Sequence, residues 1–281
     1  AAWRQDKTAQ ALPRFEAYLA LAQALVNQQP GHAPWQVELA SAEQNLGVVR
    51  LRSGDARGAL PRLQRAVAVW QPLAATNADA ARELPGTWGW LAEAHERLGA
   101  PREAVAAHEA KLALLAKAEA NDREAQHLRA ASLAALGRLR LEAGDGAGAL
   151  RDGRASVAAY EVLAALDPEN LERRSHLAFA RLSLGESALA LGDAAESRRE
   201  AEAAGALLPR LLAAQPPRPE WSGELRARWL SLRCGAADAD ACQALARDIG
   251  PPELNAGAPP AEQRWRAVAR MRLSRQTGDP R

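Results

Sequence analysis

The stretch LGVVRLRSGDARGAL, Leu46 to Leu60, decides how this chain is read. It sets Gly47 behind a leucine, Gly54 before an aspartate, and Ala59 a turn further on, in a chain otherwise rich in Ala, Leu, Arg and Glu. Glycine inside a helix costs about 1 kcal/mol relative to alanine, so two of them in one helix-forming segment need a reason. The same layout returns as LGRLRLEAGDGAGAL, Leu136 to Leu150, and as LGESALALGDAAES, Leu184 to Ser197. A degenerate copy, LAEAHERLGAPREAV, runs from Leu91 to Val105.

Registered on the second glycine, the copies fall at Gly54, Gly99, Gly144 and Gly192, in steps of 45, 45 and 48 residues. The earlier slot holds Gly47, Ala92, Gly137 and Gly185, each preceded by leucine, and the later one Ala59, Ala104, Ala149 and Ser197, all small. Ala11-Leu12-Pro13-Arg14 answers Ala59-Leu60-Pro61-Arg62, and Pro216 and Trp221 answer Pro30 and Trp35, so the phase reaches both ends. The expected division is a repeat array over 1–249, with a leading helix at 7–29, repeats at 30–74, 75–119, 120–167 and 168–215, and a degenerate half-repeat at 216–249. A Pro/Gly connector at 250–260 and a capping helix with its tail at 261–281 follow; Trp265, Val268 and Met271 share one face of that helix, and Arg264, Arg266, Arg270 and Arg272 the other. Such arrays need a covered end.

Each unit reads as two helices. In the first, helix A runs from about Pro34 to Arg52, with Trp35, Leu39, Leu46 and Val49 on one face. Gly54 ends it in the left-handed conformation. Asp55 then caps helix B, whose apolar face is Ala59, Leu60, Leu63, Val67 and Trp70; Asp145 and Asp193 stand in the same place in later units. Gly47 and Ala59 sit where the two helices cross, because only small side chains permit a close approach. That is the reason for the first glycine; the turn is the reason for the second.

Composition agrees. Of 281 residues 48% are apolar but only 4% aromatic, and strong helix formers dominate where strand formers are scarce. The fold class expected is all-α. A net charge of +2 sets up no global field for nucleic acid, and no apolar run is long enough to span a bilayer. The opening AAWRQDKTAQ, with no initiator Met and no signal-peptide pattern, predicts a cut made within a longer protein.

From about Gln10 to Asp248 this layout resembles the tetratricopeptide repeat: the LG pair, the GD turn and the small residue opening the next helix carry the likeness. The usual unit is about 34 residues; here helix B is longer. The resemblance implies a right-handed α-solenoid of antiparallel helix pairs, about 12 helices in all, that binds a protein or peptide in a concave groove lined by helices A and is not an enzyme. It implies no cofactor. Projected on the repeat, the groove comprises Gln44, Val48 and Leu51; Trp90, Glu93 and Arg97; Ala134, Arg138 and Leu141; and Phe179, Leu182, Glu186 and Leu189. The Lys/Asn/Arg clamp that some members close on a peptide's terminal carboxylate is absent. Long repeats of this kind are similar to those beside bacterial Ser/Thr kinase or winged-helix modules, often beyond a membrane segment. The implied role is the extracytoplasmic sensor part of a membrane-anchored regulator, tethered by an upstream segment; the alternative is a cytosolic scaffold within a larger protein.

Signals for chemistry are weak by comparison. GDGAGA, Gly144 to Ala149, imitates a phosphate-binding loop, but a helix precedes it where a strand is required. His32, His95, His108, His127 and His176 form no HExxH and no pair one turn apart, so no metal site is expected. No nucleophile elbow of the GxSxG kind is present. The carboxylates alternate with arginine, as in Glu172 to Arg174 and Ser197 to Glu200, and read as a solvated face with local ion pairs. Trp35 and Trp221 read as packing between units. Trp88 and Trp90 flank Gly89 in a helix expected to kink at Pro85-Gly86, where packing and an exposed anchor compete.

Two cysteines, Cys234 and Cys242, flank a turn in the last unit. Cys234 ends a shortened helix A and Cys242 starts helix B, which brings their β-carbons to about 4 Å. A disulfide there argues for an oxidising compartment, and two free thiols for the cytosol.

Overall fold

Local chemistry sets the joints of the chain. In the computed structural model, Gly54, Gly99, Gly144 and Gly192 have φ of 91°, 70°, 84° and 84°, the left-handed region that a side chain disfavours. Beyond three of them an aspartate caps the next helix. The Asp55 carboxylate accepts from the Gly58 N–H at 2.8 Å, Asp145 from Gly148 at 2.9 Å, and Asp193 from Glu196 at 2.9 Å. After Gly99 there is no side-chain cap; Pro101 opens the helix instead, where its missing N–H costs nothing.

The structure describes residues 2–116, 118–119, 121–218, 220–236 and 238–249, and, near the end, 263, 266–267, 269–271 and 273–274. Among the described residues there are helices and turns and no strand. The chain forms two compact units, Ala1–Ala120 and Asn121–Arg281. The first holds α1 (Ala2–Gln28), α2 (Ala33–Arg52), α3 (Ala56–Leu73), α4 (Ala78–Arg97) and α5 (Pro101–Leu115). Each of these packs on the next. The second holds α6 (Arg123–Glu142), α7 (Gly146–Leu166), α8 (Leu171–Ala190), α9 (Ala194–Gly205), the short α10 (Leu208–Leu212), a π-helical turn at Glu220–Leu225, α11 (Arg226–Gly235) and α12 (Ala239–Ile249). Here α6 packs on α7 and α8, α7 on α8, α8 on α9, and α11 on α8, α9 and α12. The span 216–249, expected as a degenerate half-repeat, holds the π-helical turn and two short helices, α11 and α12. The Pro/Gly connector at 250–260 lies outside the described residues, as do Arg264, Trp265, Val268 and Arg272 of the expected capping helix. Of that helix, Ala269 and Leu273 pack against Leu230, Leu245 and Ile249.

The LG position is a close approach. A β-carbon on Gly137 would stand 3.2 Å from the Ala149 carbonyl oxygen and 3.3 Å from the Gly153 nitrogen. On Gly47 it would stand 2.8 Å from the Leu63 side chain, and on Gly185 2.6 Å from Leu232 and 3.4 Å from the Ser197 carbonyl oxygen. Ala92 takes this slot in the degenerate copy and is fully buried, as are Ala59, Ala104, Ala149 and Ser197.

Larger side chains fill the rest. Trp70 on α3 packs with Leu63, Leu84 and Leu91, and its indole N–H donates to Gln44 Oε1 at 3.1 Å. Trp221 is buried among Ala178, Leu182, Ala204 and Leu225, whereas Trp35 is half-buried against Leu39 and Val26, its ring tilted against that of His32 with centroids 4.4 Å apart. α4 runs as helix through Pro85-Gly86, where a kink is expected. Trp88 and Trp90 are half-buried and pack on the same cluster as Trp70.

A few carboxylates depart from the expected solvated face. Glu43, Asp152 and Glu196 are buried and paired across helices, Asp152 and Glu196 also with Arg151 and Arg199 on their own helices. Arg154 on α7 grips Glu196 on α9 with both nitrogens, at 2.7 and 2.6 Å. Arg140 on α6 reaches Asp152 on α7, and Arg62 on α3 reaches Glu43 on α2 at 3.3 Å. Glu200, placed by sequence among local pairs, binds Arg181 on α8 at 2.9 Å. A buried carboxylate needs such a partner, and the helix packing supplies it from a neighbouring helix.

Cys234 on α11 and Cys242 on α12 are joined by a disulfide, with Cα atoms 4.7 Å apart across eight positions of sequence. Cys234 lies in the cluster of Leu230, Leu245 and Ile249, so the bond fastens the last two helices at their core. Chain-entropy arithmetic for so short a loop gives about 2.5 kcal/mol. Replacing both cysteines by serine is expected to lower the urea midpoint accordingly, and the unreduced wild type to resist thiol labelling. Full labelling without reductant, with an unchanged midpoint in the variant, would show that no bridge forms.

Candidate functional site

The residues projected onto a groove divide in the structure into open and committed ones. In the first unit, Leu51 is 0% exposed. It belongs to the core and is corrected as a groove residue. Gln44 is a joint among three helices: its Oε1 accepts from Trp70 and from the Thr87 hydroxyl, and its Nε2 donates to Glu83 at 3.2 Å. Arg97 pairs with Glu93 at 2.5 Å and donates to the Leu51 carbonyl at 2.6 Å, near the end of α2. Val48 and Trp90 are half-buried against the core, and the Arg52 guanidinium lies 5.3 Å over the Trp90 ring.

In the second unit Leu182 is 0% exposed and receives the same correction. Both leucines lie on helices A, on the side turned into the packed neighbours, so the projection ran a fraction of a turn too far round. Glu186 is held by Arg228 at 3.2 and 2.9 Å, and that guanidinium lies 5.7 Å from the Phe179 ring. Arg138 is exposed and pairs with Glu142 at 3.1 Å. Ala134, Leu141, Phe179 and Leu189 are half-buried. The open surface on helices A is thus mixed: small apolar areas beside arginines already bound to carboxylates.

A constellation that sequence reading missed lies at the N-terminal ends of α6 and α8. His127 on α6, Tyr160 on α7 and His176 on α8 meet in one place. The two imidazole centroids are 4.7 Å apart, and each lies 5.7 Å from the phenol ring. They line a cavity of about 310 Å³ with Arg123, Glu124, Leu163, Asn170, Glu172 and Arg173. Tyr160 is only 5% exposed, and burial pushes its pKa up to about 12, so the phenol keeps its proton at physiological pH. Burial, and then the neighbouring His127, pull the His176 pKa below the usual imidazole value; Glu172 opposes them. No sequence motif joins these histidines, because they stand on separate helices. The signal available was positional: both fall within the first two turns of consecutive helices A, with Tyr160 on the helix B between them. Among the described residues no group of three or more His, Cys, Asp or Glu side chains could hold a metal ion.

A second cavity, of about 400 Å³, opens beside the disulfide, lined by Ala201, Gly205, Trp229, Arg233 and Asp238 among others. The Trp229 indole donates to the Ala201 carbonyl at 2.9 Å, and Arg233, paired with Asp238, covers its ring at 4.9 Å.

Successive antiparallel helix pairs, joined by a positive-φ glycine and crossing at a small residue, define the class: a tetratricopeptide-like repeat protein. Solved structures agree. The chain is similar to BtubC (BKLC) from P. vanneervenii, with a TM-score of 0.63 at 17% identity, covering 94% of this chain and 92% of that one. It is similar to a structure described as kinesin light chain nearly identical TPR-like repeats from Podosopora anserina, at 0.51 and 16%, over 76% and 97%. It is also similar to the assembly chaperone of RpL4 (Acl4), at 0.54 and 15%, over 98% and 97%. At these identities the likeness is one of fold. No family model matches the chain, and no curated protein matches it.

Proposed function

We propose that the chain is a non-catalytic interaction module that binds a protein or peptide on the open faces of its helices A, and that it serves as the extracytoplasmic sensor part of a membrane-tethered regulator. The observation that carries the reading is the tetratricopeptide-like stack itself, since proteins of this fold present helix faces to protein partners. Partly open apolar side chains, Trp90 in one unit and Phe179 and Leu189 in the other, supply anchors of the kind that dominate interfaces. The Cys234–Cys242 bond supports an oxidising compartment. Among the described residues no helix is long and apolar enough to cross a membrane; the tether in this reading is an upstream segment.

Selection of a displayed peptide library on the purified chain tests this. Enriched peptides are expected to lose about tenfold or more in affinity, roughly 1.4 kcal/mol, in Trp90→Ala or Phe179→Ala. Peptides whose affinity ignores both changes would reject the proposed faces. The alternative, a cytosolic scaffold, would be favoured if the two cysteines proved to be freely reactive thiols in the native protein.

A further inference from the structure

Helix α7 carries an apolar stripe that the repeat does not require. Registered on the positive-φ glycines Gly54, Gly144 and Gly192, Val162 corresponds to Pro72 and Arg210, and Leu166 to Thr76 and Ala214. Yet Val162 is 57% and Leu166 51% exposed. They stand one turn apart, and Ala155, Ala158 and Ala165, all exposed, extend the same face. Lone exposed apolar residues are ordinary, whereas a contiguous patch marks an interaction surface. The contacts of α7 with α6 and α8 use its other sides, where Val157, Tyr160 and Leu163 are buried.

Spacing and charge identify what covers it. Arg151, Ala155, Ala158, Val162, Ala165 and Glu169 follow one another at steps of four, three, four, three and four residues. That is the seven-residue period of a coiled-coil seam, with Ala155, Val162 and Glu169 at a and Arg151, Ala158 and Ala165 at d. When two such helices lie antiparallel, each a position faces a d position of the other. The stripe meets this condition with itself. Turned about a two-fold axis beside residue 160, Val162 faces Ala158 of a second copy, Ala155 faces its Ala165, and Arg151 faces its Glu169. Each contact then occurs twice, as an isologous interface requires. Apolar meets apolar at the centre, and arginine meets glutamate at both ends. A parallel pairing would instead set arginine on arginine at one end and glutamate on glutamate at the other. Arg151 and Glu169 already meet Asp152 and Arg210, each at 3.0 Å, but their side chains stay 66% and 80% exposed, which leaves room for a second partner. Alanine at three of the four central positions lets the helix axes approach to about 8 Å.

We propose that the chain self-associates through α7, as an antiparallel two-fold pair of α7 helices with Val162 and Ala158 at its centre. Leu166 flanks the seam opposite the aliphatic stem of Arg154 in the second copy, whose head is held by Glu196. The surface lies on a helix B, apart from the faces of helices A proposed for a peptide, and it does not rest on that reading. One helix pair buries less than the roughly 1,200 Å² at which stable interfaces begin, so the dimer is reversible and its population follows concentration.

Sedimentation equilibrium of the whole chain, from about 1 μM to about 500 μM, spans the range of such weak interfaces. The apparent mass is expected to climb from 30.0 kDa towards twice that value. Val162→Glu is expected to weaken association about tenfold or more and, as a change at an exposed site, to leave the melting midpoint of the dilute chain in place. Arg151→Glu alone, or Glu169→Arg alone, sets like charges face to face twice in each dimer and is expected to weaken association about fivefold. The two changes combined are expected to recover the wild-type value, because opposite charges face each other again. A single-chain mass at every concentration would overturn the proposal and assign the stripe to a different protein. Association that Val162→Glu leaves untouched would overturn it too, by placing the interface elsewhere. Single charge changes that weaken association without recovery in the combination would overturn the antiparallel pairing.

Discussion

Gly137→Leu is expected to lower the stability of the chain by about 3 kcal/mol or more, at the upper end of overpacking costs. The neighbours make the effect large. A β-carbon at this position already stands 3.2 Å from a backbone oxygen and 3.3 Å from a backbone nitrogen of α7, and backbone cannot swing aside as a side chain can. Leucine adds three more carbons in the same direction, so α6 and α7 must part or the side chain must leave its rotamer. Parting them disturbs the nearby pair of Arg140 and Asp152, which bridges the same two helices. The melting midpoint should fall by roughly 6–12 °C for a chain of this size. Gly47→Leu, whose close neighbour is the flexible Leu63 side chain, should cost less. An unchanged midpoint for Gly137→Leu would contradict the crossing geometry, and a reversed order of the two variants would contradict the distinction between backbone and side-chain neighbours.

Trp70→Ala in the first unit is expected to cost about 3–5 kcal/mol, the range for truncating a large buried aromatic. Trp70 is the largest fully enclosed side chain among the described residues, and it packs with the helices on both sides of α3 through Leu84, Leu91 and Ala40. Its loss leaves a cavity and removes a hydrogen bond that ties α3 to Gln44 on α2. Trp70→Phe separates the two contributions: it keeps much of the volume and loses the N–H, and should cost less than the alanine variant. Urea denaturation followed by circular dichroism measures both. A loss below about 1 kcal/mol for Trp70→Ala, the ordinary size of a surface or semi-exposed change, would mean that α3 is not clamped between its neighbours.

Both variants bear on what a linear reading can and cannot see. The joints were legible. Gly54, Gly144 and Gly192, each followed by an aspartate, announce a left-handed residue and a helix cap, and the physics of both is complete within about four residues. The repeat step was legible too, because Leu-Gly and the following small residue recur in register. From these the all-α class and the helix-pair architecture followed. The groove was legible only in part. Choosing Leu51 and Leu182 required knowing which side of helix A faces its neighbours. A shift of one residue turns a side chain by about 100°, so a projection that is nearly right still exchanges core for surface. Glu43, Asp152 and Glu196 looked like solvated charges because the arginines that reach them from other helices lie 12 to 42 residues away in sequence.

What the sequence by itself determined is therefore whatever is settled within a turn of helix or repeated in register: the helices, their glycine joints, their caps and their small crossing residues. The tertiary structure alone decided the division into two compact units at Ala120 and Asn121, which no shift of composition marks. It decided the burial of the cross-helix ion pairs, and it decided between the bridge and the free thiols that the sequence left open at Cys234 and Cys242. It also decided the meeting of His127, Tyr160 and His176. Each of those three residues obeys the helical pattern of its own segment, and their proximity arises only when α6, α7 and α8 pack side by side. The reason is the range of the forces involved: caps and turns are satisfied by neighbours in sequence, whereas burial, charge pairing and a shared cavity depend on atoms that the chain brings together only by stacking.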